Sequence, residues 1–136
     1  MKKLLLLIVL FLCSVTMFSQ ENDTATVYFF RKTGTDAIVS NFRVFIDNTL
    51  VCKLKNKKYS IHQVKSGKHV FSVQLNSTTE KKGSDKFEID IEAGKTYYME
   101  VKLTGDIMYG AIFEEVTENT AKKLMPKLKQ QDDCLK

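Results

Sequence analysis

A chain of 136 residues with a formal net charge of +5 has the length of one domain, and nothing in its composition calls for a second. The charge excess is mild and forms no dense Lys/Arg stripe, which argues against a nucleic-acid surface. Six glycines, spread singly, leave no phosphate-cradling motif.

The N-terminus reads as an export signal over residues 1–19. Lys2 and Lys3 precede an unbroken apolar run from Leu4 to Cys13, and a more polar exit follows to Gln20. The run is shorter than the roughly 20 apolar residues of a membrane span, so a cleaved signal is favoured over a retained anchor. Cleavage is expected after Ser19, leaving Gln20 or Glu21 first, although Met17 is bulkier than the peptidase prefers. Cys13 raises the alternative of lipid attachment, but Leu12 stands where that chemistry wants a small residue. No acid precedes Glu21, so loss of Lys2 and Lys3 takes the net charge from +5 to +3. A mature chain of about 116 residues can bury a core without metals.

Beyond the signal the dominant period is two. Ala25 to Arg31 carries aromatic or β-branched residues on both faces, the mark of a central strand. A polar loop spans 33–40. Phe42, Val44 and Ile46, the pair Asp47-Asn48, then Leu50, Cys52 and Leu54 form a hairpin whose turn residues tolerate left-handed backbone. The basic cluster at 53–58 reads as a solvated turn. Tyr59 to Val64, the turn 65–68, and His69 to Leu75 read as a second hairpin with Phe71, Val73 and Leu75 inward. Residues 76–85 hold no apolar side chain and form a solvated loop. Phe87, Ile89 and Ile91 alternate with acids. After the turn 92–95, Tyr97, Met99, Val101 and Leu103 alternate with polar or tyrosine positions, which reads as a third hairpin. Met108 to Val116 is a last strand, with Gly110 at a bend. Thr117 suits the N-cap of a short helix, which Pro126 ends, and Ala121, Leu124, Met125 and Leu128 share one of its faces. The expectation is an all-β chain: an antiparallel β-sandwich, Ig-like or transthyretin-like, of about seven or eight strands over 20–116, with a helix and tail over 117–136.

The chemistry-bearing residues are sparse. His69 falls on the face of Phe71 and His62 on the wet face opposite Ile61. No acid or cysteine stands at ligand spacing beside them, so no metal site and no cofactor is expected. Ser66 lies near His69, but its turn is explained by chain reversal and lacks the flanking glycines of a nucleophile elbow. Glu114 and Glu115 point to opposite faces, while Glu88, Asp90 and Glu92 form a solvent-facing row, so no paired carboxylates and no catalytic residue emerge. Cys52 and Cys134 are a candidate disulfide in an exported chain, and the alternation of Cys52 with Leu50 and Leu54 equally fits a buried free thiol. Asn22 and Asn76 match the glycosylation acceptor pattern. Tyr28, Phe30 and Tyr98 are expected on the less buried face. They are either an exposed aromatic group for a sugar or protein partner, or the surface on which the C-terminal helix packs.

Four segments in order are Ala25 to Arg31; Val44 to Tyr59, where a short Asp-Asn turn is followed by Leu54 to Tyr59; Val64 to His69; and Glu92 to Tyr98. Together, over roughly Ala25 to Leu103, the chain resembles the bacterial domain-of-unknown-function family 2846, whose members are exported or lipoprotein-like. The resemblance implies a β fold and an exported location and transfers no activity. Lys32 replaces the family's usual proline after the first-strand arginine, and Cys13 lacks a good lipidation context. The expected role is a non-catalytic binding or accessory protein of the cell envelope, periplasmic, envelope-associated or secreted, with a protein or glycan partner. It would touch a membrane only through the signal or Cys13. The alternatives are a membrane-anchored envelope structural or stress protein, and a small hydrolase built around Ser66 and His69.

Overall fold

The computed structural model describes residues 23–32, 40–75, 79, 85–104 and 110–136. The expected signal with Cys13, both glycosylation acceptors Asn22 and Asn76, most of the two loops, and Met108 lie outside the described residues.

The described residues form nine strands: β1 (Thr24–Arg31), β2 (Phe42–Ile46), β3 (Thr49–Leu54), β4 (Lys58–Lys65), β5 (Gly67–Leu75), β6 (Lys86–Ile91), β7 (Thr96–Thr104), β8 (Gly110–Glu115) and β9 (Lys129–Gln130). Between β8 and β9 lie helix α1 (Glu118–Leu124) and a 3₁₀ turn (Met125–Lys127). One sheet runs β8-β7-β1-β4-β9 and the other β3-β2-β5-β6, stacked as a sandwich. Most pairs are antiparallel. Two are parallel, β1 with β7 and β4 with β9.

The core lies between the two sheets. Ala25, Val27 and Phe29 of β1 enter it beside Met99 and Val101 of β7, and face Val44, Phe71 and Val73 of the second sheet. Phe29 sits at its centre, its ring 5.3 Å from Phe71 across the gap and 5.0 Å from Phe113. β1 is flanked by β7 and β4 and covered on its other face by the helix, where Phe30 is fully buried with Ala121 and Leu128. That accounts for its apolar residues on both faces.

The β2–β3 hairpin forms as read from the sequence, with Asp47 (φ 49) and Asn48 (φ 65) in left-handed backbone. The other two expected hairpins do not form. β4 and β5 belong to different sheets, as do β6 and β7, so the turns at Ser66 and at 92–95 carry the chain across the core. Gly67 (φ 119) and Gly94 (φ 77) supply these corners. Backbone bonds dock both corners on the start of β1, from Ser66 N to Asp23 O and from Gly94 N to Thr24 O, each 2.9 Å. Two consecutive strands that bury alternate residues satisfy the same pattern whether they lie side by side or face each other. Alternation alone therefore cannot choose between hairpin and crossing.

Leu103, expected inward, is exposed near the end of β7, where the core runs out. His62, expected wet, points inward. The inner face of β4 is Ser60, His62 and Val64, while Tyr59 and Ile61 face out. The more apolar set of this strand is the outer one because the helix shelters Tyr59.

Candidate functional site

Two regions bring chemistry-bearing residues together. The first is the outer face of the five-stranded sheet. Tyr28 stands opposite Ile61 on β4 and beside Tyr98 on β7. The Tyr28 and Tyr98 rings stack with centroids 5.2 Å apart and planes 23° from parallel, and Tyr59 lies 6.2 Å from Tyr28. Ile61 is one of the exposed large apolar residues. Helix α1 covers one end of this face. Thr117 caps it by accepting from Thr120 N at 3.3 Å, and Lys122 pairs with Glu118 at 2.7 Å. Loss of solvent, with Glu118 and Tyr28 nearby, pushes the Tyr98 phenol above its ordinary value against the opposing pull of Lys122. Phe30 is wholly buried under the helix and offers no exposed ring, whereas Tyr28 and Tyr98 are half-buried. Beyond Tyr28 the face becomes polar. Gln63 donates to Thr26 Oγ1 at 3.1 Å, and Thr24, Thr26, Gln63, Gly94 and Lys95 line a shallow open depression.

The second region lies at the β3–β4 edge of the sandwich. The C-terminal tail runs back there after the helix. β9 adds to β4, and Cys134 is joined to Cys52 of β3 by a disulfide. Buried Gln131 ties the two sheets: its N–H donates to Tyr59 O at 2.8 Å, its amide nitrogen to Lys53 O at 2.9 Å, and its amide oxygen accepts from Lys55 N at 3.0 Å. Lys53 N donates to Cys134 O at 2.7 Å. His62 reaches the same place from the inner face of β4. Ligand atoms of Cys52, His62 and Cys134 lie within 4.8 Å of one another. Ser60 Oγ is 3.0 Å from His62 Nε2, and the Phe29 ring packs 5.4 Å from the imidazole. Burial pushes His62 below its ordinary 6.5, which favours the neutral ring. The sequence offers the Cys52–Cys134 pair but not His62, because alternation with Ile61 places that ring on the outer face.

His69 and Ser66 are engaged separately. Ser66 Oγ donates to Asp23, while His69 Nδ1 meets Asp47 Oδ2 at 2.6 Å and Nε2 meets Lys65 O at 2.8 Å. Both imidazole nitrogens are occupied by Asp47 and Lys65, so His69 is not placed to take a proton from Ser66.

Residues 21–111 match the model of a family of proteins of unknown function, DUF2846. The chain belongs to the DUF2846 family. No curated protein matches it. The DUF2846 segment runs from the start of β1 into β8 and includes Cys52, His62, Tyr28 and Tyr98. Helix α1, β9, Gln131 and Cys134 follow it, so both the cover over Phe30 and the disulfide partner come from outside the matched segment.

Proposed function

We propose that this DUF2846 chain is an exported, non-catalytic binding domain of the cell envelope, and that Tyr28 and Tyr98 are its contact surface for an envelope glycan. The observation that carries the reading is the stacked Tyr28–Tyr98 pair, bordered by exposed Ile61 on one side and by the polar depression at Thr26, Gln63 and Lys95 on the other. An aromatic platform beside hydroxyl, amide and ammonium groups offers a sugar ring both a stacking face and hydrogen-bond partners. Export is supported by the N-terminal pattern of Lys2, Lys3 and the apolar run, and by a disulfide, a bond that persists in oxidising compartments.

Two measurements test this. Mass spectrometry of the protein recovered from cells should find a chain starting at Gln20 or Glu21. A lipid-modified Cys13 would replace the reading with that of an anchored envelope protein. Co-sedimentation with purified envelope polysaccharide should retain the wild type and lose at least about tenfold in affinity for Tyr28→Ala. Equal retention of Tyr28→Ala, or no retention of the wild type, would count against the glycan surface.

A further inference from the structure

We propose that Cys52, Cys134 and His62 form a zinc site when the disulfide is opened, so that the same residues alternate between a covalent clasp and a metal centre. This is independent of the glycan reading, which concerns the opposite face of the five-stranded sheet.

The donor set selects the ion. Two thiolates and one imidazole suit Zn²⁺ and are poor partners for Mg²⁺ or Ca²⁺. The three ligand atoms already lie within 4.8 Å of one another. With Zn–S near 2.3 Å in tetrahedral geometry, the sulfurs need a separation of about 3.8 Å, so they must move apart from bonding distance. Cys52 is fixed and buried in β3, whereas Cys134 sits in a turn of the tail after β9, outside any strand or helix. The required displacement therefore falls on the tail. Two thiolates neutralise Zn²⁺, so the occupied site adds no net charge to a half-buried position. His62 is held by Ser60 and packed against Phe29, the kind of support that orients a metal-binding imidazole. Three protein ligands leave a fourth position for water.

The interconversion balances. A dithiol reductant gives two electrons and two protons to the Cys52–Cys134 bond, leaving two protein thiols and its own disulfide. Zn²⁺ then displaces the two thiol protons and forms two Zn–S bonds. A disulfide oxidant reverses this, taking two electrons from the thiolates as the Cys52–Cys134 bond re-forms and Zn²⁺ is released. The oxidant leaves as a dithiol with two protons from solvent.

The test uses the full mature chain, reduced and then freed of reductant without air, and titrated with Co²⁺ as a spectroscopic stand-in for Zn²⁺. Expected are one equivalent bound, a thiolate-to-cobalt charge-transfer band in the near ultraviolet, displacement by Zn²⁺, and no binding by the oxidised chain. His62→Gln should weaken binding at least about tenfold. Near-ultraviolet circular dichroism reports folding alongside. If the reduced chain has lost its tertiary signal, the ion should restore it in the wild type and not in His62→Gln. A reduced wild type that takes up no ion, or a His62→Gln variant that binds as tightly as wild type, overturns the site.

Discussion

Asp47 holds the first turn together with one side chain. Its Oδ1 accepts from Val70 N at 2.8 Å and its Oδ2 meets the His69 ring, so it ties the β2–β3 turn to β5. Loss of solvent raises its pKa, but the Val70 N–H and the neighbouring His69 outweigh that and bring it below the ordinary 3.8. Asp47→Ala should cost about 1–2 kcal/mol in chemical denaturation. Because the folded-state pKa is the lower one, the stabilisation is complete above 3.8 and lost as the pH falls through the folded value. Asp47→Asn should therefore show a shallower loss of stability on that acid side than the wild type. Arg31 illustrates a different constraint. It is fully buried, donates to Ser40 O at 2.8 Å and lies 4.2 Å above the Phe42 ring, and burial lowers its pKa to about 10. It remains charged at neutral pH. Arg31→Lys keeps the charge but loses the planar fork that stacks and donates at once. The expected cost is about 2 kcal/mol, read as a fall in the urea midpoint.

At the scale of the element, the helix shows how much of a local structure can be read directly. Thr117 is a side-chain cap, Ala121 and Leu128 are buried, and Pro126 lies in the 3₁₀ turn that ends the helix. Thr117→Ala should cost about 1 kcal/mol and raise amide exchange in α1 more than in β1. The start of β8 is as tightly defined. A Cβ on Gly110 would overlap Thr104 Oγ1, so Gly110→Ala forces that hydroxyl to rotate away and should destabilise the β7–β8 pair by about 1 kcal/mol, measured by thermal unfolding. Most strands were legible because they alternate, β1 because aromatic or β-branched residues fill both its faces, and the β2–β3 turn because Asp47 and Asn48 accept positive φ. β9 was not legible. Two residues carry no period, and β9 exists only because the tail is drawn against β4.

For the molecule as a whole, the tail decides how the sandwich closes on the β3–β4 side. A bond between residues 82 apart restricts a long loop of the unfolded chain, and the chain-entropy model assigns it about 4.5 kcal/mol. The double substitution Cys52→Ser with Cys134→Ser should lower stability by up to about that amount and speed amide exchange at Gln131, while the β1–β7 amides stay the slowest.

By itself the amino-acid sequence determined the strand-rich class, the central place of β1, the first hairpin and the capped helix, because each depends on the side-chain period or backbone preference of neighbouring residues. The tertiary structure alone decided that two turns cross between sheets, that His62 turns inward to Cys52 and Cys134, and that of the three aromatics the sequence offered to the helix only Phe30 lies wholly beneath it. Those outcomes depend on which surfaces meet across the core. Segments distant along the chain compete for such contacts, and no local pattern records which of them wins.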